Sequence, residues 1–201
     1  MPDQPADRTL ATGPRRADAQ RSIQRIIDAA VDCLSANPEA SVVDIARHAG
    51  VARATAYAHF PTRESLIEAV TQQAISEASQ VIDGAEPHAG DPVQALRRVL
   101  SATWRTLGRY HALVAINTRL PHEELHQRHG SVLGRLEPLI ARGQKAGVFR
   151  SDVPVSWHLA TMLALIHGAS AELSAGRIAE DQVEPALLAT VVGAISVSGA
   201  A

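Results

Sequence analysis

The chain has 201 residues, 46% hydrophobic and 20% charged, with a formal net charge of −2. That length can bury a real core in one or two domains, and the near-neutral charge gives no global pull toward nucleic acid. A single cysteine, Cys33, excludes an intramolecular disulfide framework; no apolar run approaches the roughly 18 residues of a membrane span, and the N-terminus lacks the apolar core of a secretory signal, so a cytoplasmic location is expected.

Alanine is abundant and β-branched runs are few, which favours helix. Residues 1–17 carry Pro2, Pro5, Gly13 and Pro14 without periodicity and read as a disordered arm closed by Arg15 and Arg16. From Asp18 onward, Ile23, Ile26, Ile27, Ala30, Val31 and Leu34 fall on one face of an amphipathic helix. Asn37-Pro38 ends it, because proline disfavours a helical residue before it. Ser41 opens a short helix to His48, with Ser41 and Asp44 spaced as a capping box and Val42, Ile45, Ala46 and Ala49 on one apolar face. Gly50 lets the chain leave through positive φ. A second short helix runs from Ala52 to about Ala58 and stops at Phe60-Pro61. Thr62 caps the next helix, Ser65 supplying only half a capping box, and Leu66, Ile67, Val70, Ile75 and Ala78 carry it toward Gly84. After a Gly- and Pro-containing loop at 84–92, helices are expected at about 92–108, 109–118, 122–146, 155–175 and 180–197. Val191 to Val197 is the one strand-like run, and it fits a buried helix as well.

Two short helices joined by a glycine-containing turn have the form of a helix-turn-helix. The second presents Ala52, Arg53, Ala54, Thr55, Ala56, Tyr57, Ala58 and His59. Its alanines make it slim enough for a groove, and Arg53 and Thr55 are its polar reach. Tyr57, His59 and Arg63 can donate to phosphate oxygens. From Arg15 to Arg63 there are seven arginines and five acidic residues, a weakly basic balance. Arg15, Arg16, Arg21 and Arg25 either follow a nucleic-acid backbone or form a solvated basic arm.

Residues 19–70 resemble the DNA-binding domain of the TetR/AcrR family. The resemblance rests on Asp44-Ile-Ala46, Ala49-Gly50-Val51, and Thr55-x-Tyr57-x-His59-Phe60-Pro61-x-Arg63-Glu64-x-Leu66 at fixed offsets. Gly143-x-x-x-Gly147-x-Phe149-Arg150-x-Asp152 looks like a turn found in the family's second domain. The resemblance implies Ala52 to Ala58 in the major groove, Arg53 and Thr55 reading bases, Tyr57, His59 and Arg63 on phosphates, and Ser41 at the capped start of the bracing helix. Ala52 stands where the family often has Ser, Ala54 where Gly is frequent, Ala56 where a larger apolar residue is usual, and Arg63 where Lys is commonest. Loss of bulk at Ala56 is expected to loosen packing under the second helix.

The expected architecture is all-α: an arm over 1–17, a three-helix DNA-binding domain over 18–65, and a helical ligand-binding and dimerisation domain over 66–201. The resemblance implies a homodimeric transcriptional regulator, most often a repressor, on palindromic operator DNA, with a small-molecule inducer, no cofactor and no enzymatic activity. Trp104, Tyr110, His111, Asn117, Arg119, Met162 and His167 are candidate pocket residues by position, and Leu159, Met162, Leu163, Ile166, Leu188, Val191, Val192 and Ile195 candidate dimer-interface residues.

One motif suggests another class. His122-Glu123-Glu124-Leu125-His126 is an H-E-x-x-H string, which on a helix sets two imidazoles toward one zinc ion with Glu123 as general base. His129 lies one turn further, so the three histidines could share a face. The extended form needs Gly at 129 and His at 132, where this chain has His129 and Val132. A polar helix face is therefore favoured over a zinc-dependent hydrolase.

Overall fold

The computed structural model describes residues 13–111, 113–114 and 121–197; of 13–15 and 122 only the backbone is described. Among these residues the elements are helical: α1 (Gly13–Ala36), α2 (Val42–His48), α3 (Arg53–His59), α4 (Arg63–Gly84), α5 (Pro92–Leu107), a 3-10 turn (Gly108–Tyr110), α6 (His122–Arg128), α7 (Gly130–Lys145), α8 (Val155–Ser174) and α9 (Glu180–Ile195). One antiparallel bridge, Phe149 to Ser196, is the sole strand-like pairing described.

The caps set the first four helices. Ser41 Oγ accepts from Asp44 N (3.2 Å), and the Asp44 carboxylate accepts from Ser41 N (3.3 Å), so the box closes with aspartate. The box at Thr62 also closes, against the half-box expected: Thr62 Oγ1 accepts from Ser65 N (3.0 Å) and Ser65 Oγ from Thr62 N (3.2 Å). A serine hydroxyl is long enough to reach back one turn. Gly50 leaves α2 at φ +64°.

Two expectations change. α1 begins at Gly13, so residues 13–17 are helical rather than part of an arm. Pro14 sits in the first turn, where a missing N–H leaves nothing unsatisfied. Residues 1–12 lie outside the described residues, as do 112 and 115–118 of the helix expected over 109–118. The single helix expected over 122–146 is two, broken at His129 (φ −90°, ψ 5°). His129 turns its ring inward, its Nδ1 donating to Leu125 O (2.8 Å), and Gly130, a poor helix former, follows.

Two apolar cores result. One joins α1, α2 and α3 to the first three turns of α4 through Ile26, Leu34, Ile45, Ala56, Leu66 and Val70, and takes in Tyr110 and Leu113. The other starts at Ile75 on α4 and is built from α5, α7, α8 and α9, with Leu96, Leu139, Ile140, Met162 and Val191 deep inside. α4 is thus one continuous rod shared by both cores. The boundary expected between residues 65 and 66 falls inside it, and α4 belongs to the first core as far as Ala74.

The glycine motif after α7 closes the second core. Phe149 lies on Gly143 so closely that a β-carbon there would come 1.9 Å from ring Cδ2. Gly147 turns the chain at φ +72°. Val148 N and Phe149 N both donate to Gly143 O at 3.1 Å. Arg150 N then donates to Ile195 O (2.9 Å) and Val197 N to Val148 O (3.1 Å), stitching the end of α9 to the turn.

Candidate nucleic-acid interface and ligand cavity

α3 packs on α2 and α1, and Ala56 is its one fully buried residue. The expected loosening leaves no solvent-exposed gap at Ala56 itself. That buried methyl turns Ala52, Arg53, Ala54, Tyr57 and Ala58 outward. Arg53 and Tyr57, one turn apart, stack with the guanidinium carbon 5.4 Å from the ring centroid. Tyr57 is 37% exposed, its hydroxyl free to reach a partner outside the chain. Thr55 and His59 sit half-buried at the flanks. Ala52 provides no side-chain cap, so the first N–H groups of α3 are unsatisfied by the N-cap side chain.

Ser41 and Arg63 are engaged within the chain. Ser41 Oγ donates to Asp44 Oδ2 (2.6 Å) as well as accepting from Asp44 N. Those bonds hold the Asp44 carboxyl below the ordinary carboxylate range. Arg63 Nε donates to Ala40 O (3.2 Å), and its Nη2 to Pro38 O. The start of α4 is thereby tied to the turn before α2. Sequence pattern did not single out Arg47, which stands exposed on α2 with one weak partner, Asp44 at 3.5 Å. Along α1, Arg21 pairs with Asp18 and Arg25 reaches Ser22 Oγ (3.4 Å), while Arg16 is exposed.

The candidate pocket residues do not converge. Tyr110 is 1% exposed, in the first core, with Gln73 Nε2 donating to its hydroxyl (3.4 Å). Burial, then the Glu77 carboxylate, push its phenol up to about 12. Met162 is core filler. Trp104 and His111 pack together, ring centroids 4.5 Å apart, beside an open groove edged by Glu180, Asp181 and Glu184. His111 Nδ1 lies 3.2 Å from Ser170 Oγ, whose own proton goes to Ile166 O (3.0 Å). Asn117 and Arg119 lie outside the described residues.

Of these candidates, His167 alone reaches a cavity of about 60 Å³ between α4, α5, α7 and α8. Thr71, Ala74, Ile75 and Ala78 of α4 form one wall, and Thr103 and Leu107 of α5 another. Leu113, Val114, Val132, Leu163 and Ile166 supply further apolar surface, and His129 completes the ring. The His129 and His167 rings meet edge to face at 5.1 Å. Burial pushes both imidazoles down, His167 to about 4. Nothing in the sequence pattern marks Thr103 or the α4 alanines as cavity residues.

His126 is exposed while His129 is turned into this cavity, so these two do not share a face. The His122 side chain lies outside the described residues. No observation supports the hydrolase alternative.

The candidate interface residues are mostly used up within the chain. Leu159, Met162, Leu163, Val191, Val192 and Ile195 are buried in its own second core, and Ile166 and Leu188 pack against it. An apolar stripe marks burial, and here α8 and α9 bury most of theirs on each other and on α5 and α7. Their outward faces carry Trp157 (62% exposed), Ala164 and Gly168 on α8, and Ala186, Ala189, Thr190 and Gly193 on α9.

Residues 26–70 match the family model of bacterial regulatory proteins, tetR family. The chain is 28% identical over 148 residues to the HTH-type transcriptional regulator NfxB of Pseudomonas aeruginosa, covering 72% of this chain and 79% of that one. It is 29% identical over 167 residues to the HTH-type transcriptional repressor NicS of Pseudomonas putida, covering 78% of each. Its fold is that of the TetR-like regulator LfrR from Mycobacterium smegmatis, solved with proflavine: TM-score 0.67 at 24% identity, over 90% of this chain and 99% of that one. Among the described residues no helix is long and apolar enough to cross a membrane. The capped α2–α3 pair, the family match over it and the shared all-helical fold agree: residues 26–70 are a tetR-family DNA-binding unit, and the chain is a TetR-type transcriptional regulator.

Proposed function

We propose that the protein is a ligand-responsive repressor that binds near-palindromic operator DNA as a homodimer. The observation that carries this is the outward face of α3, where Arg53 and Tyr57 stand exposed on a helix braced through the buried Ala56. In this reading Arg53 and Thr55 meet base edges, and an arginine paired bidentately with guanine contributes about 1–3 kcal/mol of discrimination. Tyr57 and His59 meet phosphates, with Arg47 joining them from α2. Arg63 and Ser41 act chiefly by holding α2 and α4 in register. Residues 18 to about 74 form the reading unit, and the rest the sensor.

The dimer surface is the outward face of α8 and α9. It is free of charged side chains at Ala164, Gly168, Ala186, Ala189, Thr190 and Gly193, and small residues there let helices approach closely. Two-fold pairing through it would set two α3 helices about one DNA turn apart, roughly 34–36 Å. The names of NicS and of the Mycolicibacterium smegmatis relative LfrR, both repressors, support repression. The proflavine bound to LfrR supports a ligand-sensing second unit.

The test is selection of operators from random DNA by the purified chain, followed by salt titration. Palindromic enrichment and a steep loss of affinity with salt are expected, and Arg53→Ala should relax base preference at one position in each half-site. Selected sites without two-fold symmetry, or affinity indifferent to salt, would refute the proposal.

A further inference from the structure

The outward surface of α3 sorts its side chains by chemistry. Ala56 is the buried one, and a pitch of about 3.6 residues puts Ala54 and Ala58, two positions to either side, on the opposite face. The ridge that stands furthest from the body is therefore a pair of methyl groups. Arg53 and Tyr57 run beside it, one turn apart and exposed. α3 carries no carboxylate, and among the described residues Arg53 has no hydrogen bond or ion pair. The arginines on either side differ: Arg47 meets Asp44, and Arg63 is claimed by Pro38 O and Ala40 O. What holds Arg53 is the Tyr57 ring, its centroid 5.4 Å from the guanidinium carbon.

A free arginine surrenders rotamer freedom when it binds, and one already laid on an aromatic face surrenders less. The ring also fixes the plane of the guanidinium while its N–H groups stay free along the edge. A planar fork with no acceptor in its own chain matches two acceptors set side by side. In the major groove guanine offers that pair, O6 and N7. Adenine and cytosine each put an amino donor in the way, and thymine offers O4 beside its methyl. The alanine ridge next to the fork has no hydrogen-bonding capacity. The base edge it suits is the C5 methyl of thymine.

We infer that each operator half-site carries a guanine with a thymine beside it. Arg53 takes the guanine, Tyr57 is the positioning residue whose ring keeps the fork in line, and the Ala54 methyl takes the thymine methyl. The Tyr57 hydroxyl is left for a phosphate, so one side chain serves specificity through its ring and affinity through its oxygen. The inference rests on α3 reading operator DNA, and the experiment separates the two.

The full chain and its variants select sites from random duplex DNA, and affinities for the selected site and its single-base changes are read by fluorescence anisotropy. The native chain should prefer guanine at one position of each half-site by about five- to 150-fold. Arg53→Ala should erase that preference. Tyr57→Leu should cut it by about two- to fivefold, and adding Tyr57→Leu to Arg53→Ala should cost no further discrimination. Tyr57→Phe should keep the guanine preference while weakening every sequence alike, a split that a merely structural tyrosine would not show. Replacing the neighbouring thymine by uracil removes only the methyl, and should cost the native chain about fourfold and Ala54→Gly less. A palindromic, salt-sensitive operator that lacks a guanine beside a thymine overturns the inference and leaves the regulator reading standing. So does a Tyr57→Leu chain that discriminates as sharply as the native one, or a uracil operator bound as tightly as its thymine parent. A chain that enriches no sequence overturns both.

Discussion

Mild acid should destabilise this protein, and His167 should be a principal reason. Its ring is buried in an apolar cavity, and desolvation, then the neighbouring His129, lower its titration from 6.5 to about 4. On acidification the unfolded chain therefore takes up this proton first. The stability is fully present above about pH 6.5 and is lost as pH falls toward 4. At about 1.4 kcal/mol per unit the complete loss is about 3 kcal/mol, of which about 2 is gone by pH 5. That is a large share of the roughly 5–15 kcal/mol that holds a domain together. His129, lowered chiefly by burial, and His111, lowered by burial against the opposing Glu180 charge, act in the same direction. The carboxyls of Asp44, Asp152 and Glu172 are held below their ordinary range, so they weaken the fold only in stronger acid. The window from pH 7.5 to 5 therefore isolates the imidazoles. Urea unfolding at the two ends, followed by circular dichroism, should show the loss in the native chain and a loss smaller by about 2 kcal/mol in His167→Phe. The same pH slope in both proteins would refute the burial argument.

Three further outcomes are expected. Gly143→Ala forces a methyl into the Phe149 ring, which has no free side to retreat to, and should cost about 1–3 kcal/mol or more, read as a lower denaturation midpoint. Arg63→Ala and Arg63→Lys should both weaken all operator sequences alike and both lower stability by roughly 1 kcal/mol, because an ammonium cannot serve Pro38 O and Ala40 O as the guanidinium fork does. Unchanged stability with a salt slope lower by about one would instead make Arg63 a plain phosphate contact. Ala189→Arg should turn dimer into monomer in analytical ultracentrifugation, and an intact dimer would place the interface off α9.

The reading unit was legible because its signals are local. Ser41 and Asp44, Gly50, Pro61 and Thr62 each act within a turn or two of chain, and the structure puts caps and breaks where they stand. The split at His129 was only half legible: Gly130 is a local signal, but the inward turn of the His129 ring, which meets His167, is not. The cavity escaped notice for a related reason. It is made by what is small, Ala74, Ala78 and Thr103, whereas large side chains such as Trp104, Tyr110 and Met162 attract attention and mostly fill space. Periodicity reports that a stripe is buried and is silent on which chain covers it. Leu159 and Val191 meet their own chain. Arg63 carries a related lesson: its charge was legible, but not that two backbone carbonyls already claim it.

Tyr110 bears on how far the protein can be taken apart. Its ring belongs by sequence to the sensor, yet it sits under α1 beside Gln73, and the adjacent Arg109 lies 3.7 Å from Asp28 on α1. A fragment ending after α4 would have a hollow where Tyr110 and Leu113 belong. A chimera that grafts this head onto another sensor would inherit that hollow unless it also carried the 108–113 segment. The head is therefore not a portable cassette; the second unit supplies part of its interior, and swaps that respect only the linear boundary should yield proteins that fold poorly before they regulate badly.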